Sequence, residues 1–92
     1  MTKAELVNQI AMEKGYDKTT ILNILEAAMN VVKKQVATGE DGVYLRGFGT
    51  FQTKTRASKM ARNIKQNTSV FVPEHKIAYF KPSPDFNDMV RG

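Results

Sequence analysis

Apolar positions recur every three or four residues through the first forty, and every second residue after that. Thr2-Lys3-Ala4-Glu5 has the form of a capping box, in which the Thr2 hydroxyl serves the Glu5 amide and the Glu5 carboxylate reaches back to the Thr2 amide. A helix is therefore predicted from Lys3, with Leu6, Val7, Ile10 and Ala11 on one face and Gly15 as the left-handed residue that stops it. Asp17 caps a longer second helix. Its stripe is Ile21, Leu25, Ala28, Val32 and Val36, widened by Ile24 and Val31 and ended by Gly39. The two helices read as a hairpin over residues 1–40.

From Gly42 the period is two: Val43 and Leu45 face one way, Tyr44 and Arg46 the other, as in a half-buried strand. Gly47-Phe48-Gly49 is a turn, and threonine-rich Thr50 to Arg56 is the returning strand with Phe51 on one face. The apolar face then stops. Between Ala57 and Thr68 only Met60 and Ile64 are large and apolar, so this stretch cannot pack into a core and must project or remain mobile. Val70 to Val72 restore strand character up to Pro73, and Lys76 to Phe80 form another short strand. Ser83 caps and Pro84 begins a last helix over 83–91, with Phe86, Met89 and Val90 on one face. The class is α+β in one domain, residues 1–92: a helical hairpin, a three-stranded antiparallel sheet drawn from 42–56 and 70–80, a projecting arm at 57–72 and a short C-terminal helix.

Without residues 54–76, what remains is a marginal core for a monomer. Phe48, Phe51, Tyr79 and Phe80 are more aromatic surface than so thin a sheet can cover, so they are expected at the core of a dimer.

Composition adds two constraints. There is no cysteine, hence no disulfide framework and no cysteine-based zinc site. Charge is more telling: between Lys54 and Lys76 stand six basic residues (Lys54, Arg56, Lys59, Arg62, Lys65, Lys76) against Glu74 alone, which accounts for the entire net charge of +5. Such a localised excess is the footprint of an element that binds a polyanion. Catalysis has no comparable support, because His75 is the only histidine and Asp85 and Asp88 have no partner base. No cofactor, metal or small-molecule substrate is expected. Met1 to Lys14 carries no apolar run of signal-peptide or membrane-span length, so the expected setting is the cytoplasm, without membrane attachment.

The order of elements, with Gly47-Phe48-Gly49-Thr50-Phe51, Arg56-Ala57, Arg62-Asn63, Pro73 and Ala78-Tyr79-Phe80-Lys81-Pro82, resembles the HU/IHF family of bacterial histone-like proteins over the whole chain. Residues Arg62 to Thr68 look most like its Bacteroides-type branch. The resemblance implies an intertwined homodimer whose long β-ribbon arms wrap double-stranded DNA in the minor groove, with an apolar residue at the arm tip wedged between base pairs. The aligned wedge here is Ile64 where most of the family has proline. The glycine before the arginine is Ala61, the arm-turn glycine is Asn67, and a lysine after the Lys-Pro pair is Pro84. The residues implied to touch DNA are Lys54, Arg56, Lys59, Arg62, Asn63, Ile64, Lys65 and Lys76, with Arg46 and Lys3 on the body; Phe48, Phe51 and Phe80 belong to the dimer core. Bent, nicked or bulged DNA is the expected preference. A site-specific bending factor like integration host factor and an RNA-binding basic protein are the competing readings, whereas a pure dimerisation domain leaves the basic segment without a reason.

Overall fold

The computed structural model describes all residues from Met1 to Gly92, in the order α1 (Lys3–Lys14), α2 (Lys18–Thr38), β1 (Val43–Leu45), β2 (Gly49–Arg56), β3 (Lys59–Asn63), β4 (Thr68–Val72), β5 (His75–Pro82) and α3 (Pro84–Arg91). The chain divides into two compact units, Met1–Lys34 and Gln35–Gly92. In the first, the Thr2 hydroxyl accepts from the Glu5 amide at 3.2 Å, as capping requires. Gly15 takes a left-handed φ of 72° and its N–H closes on the Ala11 carbonyl at 2.8 Å. Asp17 accepts from the Thr20 amide at 3.2 Å and so starts α2. Val7 and Ile21 are buried, and the Lys3 ammonium meets the Glu26 carboxylate at 2.7 Å, joining α1 to α2.

In the second unit, β1, β2 and β5 form an antiparallel sheet in that order, and β3 and β4 form a separate two-stranded one. Phe51 pairs with Phe80 across β2–β5, their ring centroids 4.7 Å apart. Phe48 lies 5.1 Å from Phe80 and 5.4 Å from Phe86 of α3. α3 is fixed at its start by the Ser83 hydroxyl, which accepts from the Phe86 amide at 3.2 Å, and by Pro84 in the first turn.

One sequence expectation holds and one changes. Residues 59–63, which the apolar pattern alone leaves as a projecting or mobile stretch and which the family resemblance makes part of a β-ribbon arm, form a regular strand, because a hairpin ladder satisfies backbone groups without needing a buried face. Residues 68–72, read partly as a strand of the main sheet, pair instead with β3: Pro73 has no N–H to donate, and the ladder lapses at Ala57-Ser58 and Pro73-Glu74. The lapse costs no register. Arg56 opposite His75 is followed, three residues on along each strand, by Lys59 opposite Val72, so β2–β5 and β3–β4 are successive parts of one hairpin turning at residues 64–67.

Tyr79 is also displaced from its expected company. Adjacent strand residues face opposite ways, and Tyr79 looks away from the phenylalanine cluster that holds Phe80.

Gly49 is the tightest point of the sheet. Its φ is 157°, and a Cβ there would meet the Phe80 ring at 2.6 Å and the Lys81 carbonyl oxygen at 2.5 Å. Gly49→Ala is expected to destabilise the fold by about 2–4 kcal/mol, read from denaturant unfolding, since it adds overpacking to backbone strain.

Candidate nucleic-acid interface

Strand alternation divides the β2–β5 ladder into two faces. Phe51, Thr53, Thr55, Lys76, Ala78 and Phe80 share the cluster side. The other carries Lys54, Arg56 and Lys81, with Gln52, Ile77 and Tyr79 between them. Lys54 Nζ stands 4.9 Å from the centre of the Tyr79 ring, a cation–π contact between diagonal neighbours that holds the ammonium on this face. Lys54, Arg56 and Lys81 are exposed and no carboxylate shares their face, so nothing on it neutralises them.

Beyond the lapse the ribbon is exposed on both sides. Met60 opposite Phe71 and Arg62 opposite Ser69 occupy one face; Lys59 opposite Val72, Ala61 opposite Val70 and Asn63 opposite Thr68 occupy the other. Lys65 stands in the turn. Cations therefore lie on both faces of the ribbon and at its end, and no acidic residue occurs from Gly42 to Pro73.

The tip is held by polar groups. The Asn63 side-chain oxygen accepts from the Lys65 amide at 3.1 Å and from the Gln66 amide at 3.4 Å, an Asx turn that closes the hairpin. Asn67 adopts φ 52°, the left-handed conformation expected of it in place of glycine, and its Oδ1 accepts from Arg62 Nη2 at 2.8 Å. Ile64 has no such partner: it is 88% exposed, the most exposed large apolar side chain of the chain.

The anticipated residues are thus distributed over several places. Lys54 and Arg56 share a face; Lys59, Arg62, Asn63, Ile64 and Lys65 follow along the same ribbon. Lys76 is on the cluster side of its ladder, its ammonium 3.8 Å from where a side chain on Gly39 would begin, and so is not beside Lys54 and Arg56. Arg46 sits in the β1–β2 turn, exposed. Lys3 lies in the helical unit, bound to Glu26. Lys81, which sequence reasoning passed over as part of a Lys-Pro pair, joins the cationic face; the alternation from Phe80 was the signal that could have found it. No group of His, Cys, Asp and Glu side chains is arranged to hold a metal ion. No helix is long and apolar enough to cross a membrane.

The model of the family described as bacterial DNA-binding protein matches residues 1–91. A DNA-binding protein HU of Caulobacter vibrioides is 42% identical over 80 residues, covering 87% of this chain and 86% of that one. The DNA-binding protein HU of Geobacillus stearothermophilus is 31% identical over 91 residues, covering 99% of this chain and all of its own. Among solved structures, an Anabaena HU–DNA cocrystal chain superposes with a TM-score of 0.91 at 31% identity, covering 98% of this chain and 97% of that one.

Asn67→Ala should loosen the tip alone, because alanine in the left-handed region costs about 1–2 kcal/mol and Arg62 loses its acceptor. Amide exchange at residues 65–69 is expected to quicken by roughly 5- to 30-fold, with the β2–β5 ladder unchanged. Equal quickening in both ladders would show that the tip is not an independent element.

Proposed function

The chain belongs to the bacterial DNA-binding protein family, and from that premise we propose that it is an architectural, histone-like protein which, as a homodimer, grips duplex DNA in the minor groove with two β-ribbon arms and bends it with little regard to sequence. The carrying observation is the unshifted hairpin from Gly49 to Pro82, with cations on both faces beyond the lapse and bare Ile64 at its tip. A ribbon lying on a flat anionic surface needs charge on one face only. Charge on both suits an element flanked by phosphates on either side, as in a groove. The side-chain oxygens of Asn63 and Asn67 are engaged within the turn, so neither presents a free amide edge for bidentate base reading, and Ile64 has no polar group; preference follows from DNA deformability.

Dimerisation is supported by what the single chain leaves uncovered. Val7, Ile21 and Val36 are its only buried apolar side chains, and none is fully enclosed, whereas Ile24, Val31, Met89 and Val90 are largely exposed and Phe48 is 44% exposed within its own aromatic cluster. Burying one such side chain contributes about 1.5–3 kcal/mol, which a second copy supplies. The work is mechanical, involves no covalent step, and belongs with chromosomal DNA at the nucleoid in the cytoplasm.

Sedimentation is expected to give a dimer at micromolar concentration, and the thermal midpoint should rise with protein concentration. A well-folded monomer would refute the assembly.

Gel-shift titrations on intact duplex should weaken steeply with salt. If about eight phosphates are neutralised per dimer by Lys54, Arg56, Lys59, Arg62 and Lys65 of both copies, log affinity falls against log salt with a slope near about −7. A slope near zero would exclude an electrostatic grip.

Charge and wedge should separate by mutation. Unstacking a base step costs a few kcal/mol, less where DNA is already nicked or bulged. Ile64→Ala is expected to reduce bending, measured by ring closure of short fragments, and to erase most of the preference for nicked over intact duplex. Its salt slope should stay near that of the parent, and Ile64→Pro should keep the preference. Undiminished bending by Ile64→Ala would move the origin of the bend to the body of the dimer.

A further inference from the structure

Met60 and Phe71 are direct cross-strand partners on one face of the arm, 64% and 61% exposed, with Arg62 next along the same face. Two large apolar side chains standing together in water on an element rooted at one end only call for a surface to cover them. A second copy's arm is a poor cover: residues 59–72 carry Lys59, Arg62 and Lys65 and no acidic group, so two arms repel. The cover must be anionic and, next to that charge, apolar. The wall of a DNA groove is both, since it consists of apolar deoxyribose carbons edged by anionic phosphate oxygens. In an RNA duplex the same wall carries 2′-hydroxyls, and the minor groove is wide and shallow.

We propose that the Met60–Phe71 pair packs against the deoxyribose wall of the groove and is the element by which this protein selects DNA over RNA. This rests on the DNA-binding reading and adds the residues that set sugar specificity. Against deoxyribose the pair loses its water to an apolar partner. Against ribose it desolvates a hydroxyl to which neither a thioether nor a phenyl ring offers a good hydrogen bond. Arg62, two residues from Met60 on the same strand face, supplies the phosphate contact that sets the pair against the sugar.

The test compares the parent with the double variant Met60→Thr, Phe71→Thr. Threonine keeps strand propensity while replacing the apolar pair by hydroxyls that can bond to ribose. Both proteins are titrated at one salt concentration against a DNA duplex and an RNA duplex of the same sequence. The parent is expected to prefer DNA by about tenfold or more, the factor that follows from leaving one polar group desolvated and unpaired. The variant should lose most of that ratio, with its salt slope on DNA unchanged. Val70→Thr, on the opposite face, should leave the ratio intact.

Equal losses on both duplexes would mean that the pair only stiffens the ribbon, which overturns the proposal. So would a variant ratio equal to the parent's, or self-association of the DNA-free parent that the double variant abolishes. A parent without salt-sensitive DNA binding would refute the underlying reading, and a parent that binds both duplexes equally would refute the selectivity alone.

Discussion

A two-stranded ribbon solvated on both faces is marginal by itself, and residues 57–74 of this chain depend on the ladder at their base. That ladder holds because Phe51 and Phe80 meet directly across it, with Phe48 and Phe86 closing over them. Gly49 lets the strands approach closely enough for the Phe80 ring to sit where a side chain would otherwise stand. The register set there runs unchanged through the lapse at Pro73 to the tip. A slip of one residue near Phe51 would exchange the faces of every cation further out. Packing at one end of the hairpin thus fixes the chemistry presented at the other.

Much of this was legible in the sequence wherever a side chain has a local task. Thr2, Asp17 and Ser83 cap helices through bonds that span three residues, and Gly15 stops one by its own backbone conformation. Such signals survive without knowledge of the fold. The strand Lys59–Asn63 was not legible from its residues, because it buries no face and so has no hydrophobic period to display. Its partner lies across a turn of four residues and could be inferred only from family resemblance. The faces of Lys76, Tyr79 and Lys81 follow from alternation within β5 once Phe80 is placed in the cluster; what spacing within one strand does not contain is which residues of β2 they meet.

The division of faces also explains why a small chain can carry so much uncompensated charge. On β2–β5 the phenylalanine contacts lie on one side and Lys54, Arg56 and Lys81 on the other, so folding does not require the cations to be desolvated. Their mutual repulsion remains in water, where screening acts over about 8–10 Å at ordinary salt. A polyanion relieves that repulsion on binding. The cationic face weakens the free protein slightly and favours the complex, which is the sense in which stability has been exchanged for affinity.

At the tip the same exchange is made with finer means. Asn67 holds an unfavoured left-handed conformation, yet its side-chain oxygen engages only Nη2 of Arg62. A guanidinium has five N–H donors in a rigid plane, so four remain for phosphate oxygens after that bond is made. A bond from the guanidinium to an anionic phosphate is stronger than its bond to a neutral amide oxygen, and the two need not compete when they use different edges of the plane. Arg62 can therefore be oriented before any ligand arrives and keep its anchor afterwards, which lowers the side-chain entropy lost on binding. Ile64, next to Asn63 and at the start of the turn, inherits that order without making a bond of its own. The wedge proposed at Ile64 works only if its backbone does not yield when pressed against a base stack, and the resistance this structure offers comes from two asparagines and an arginine rather than from a proline ring.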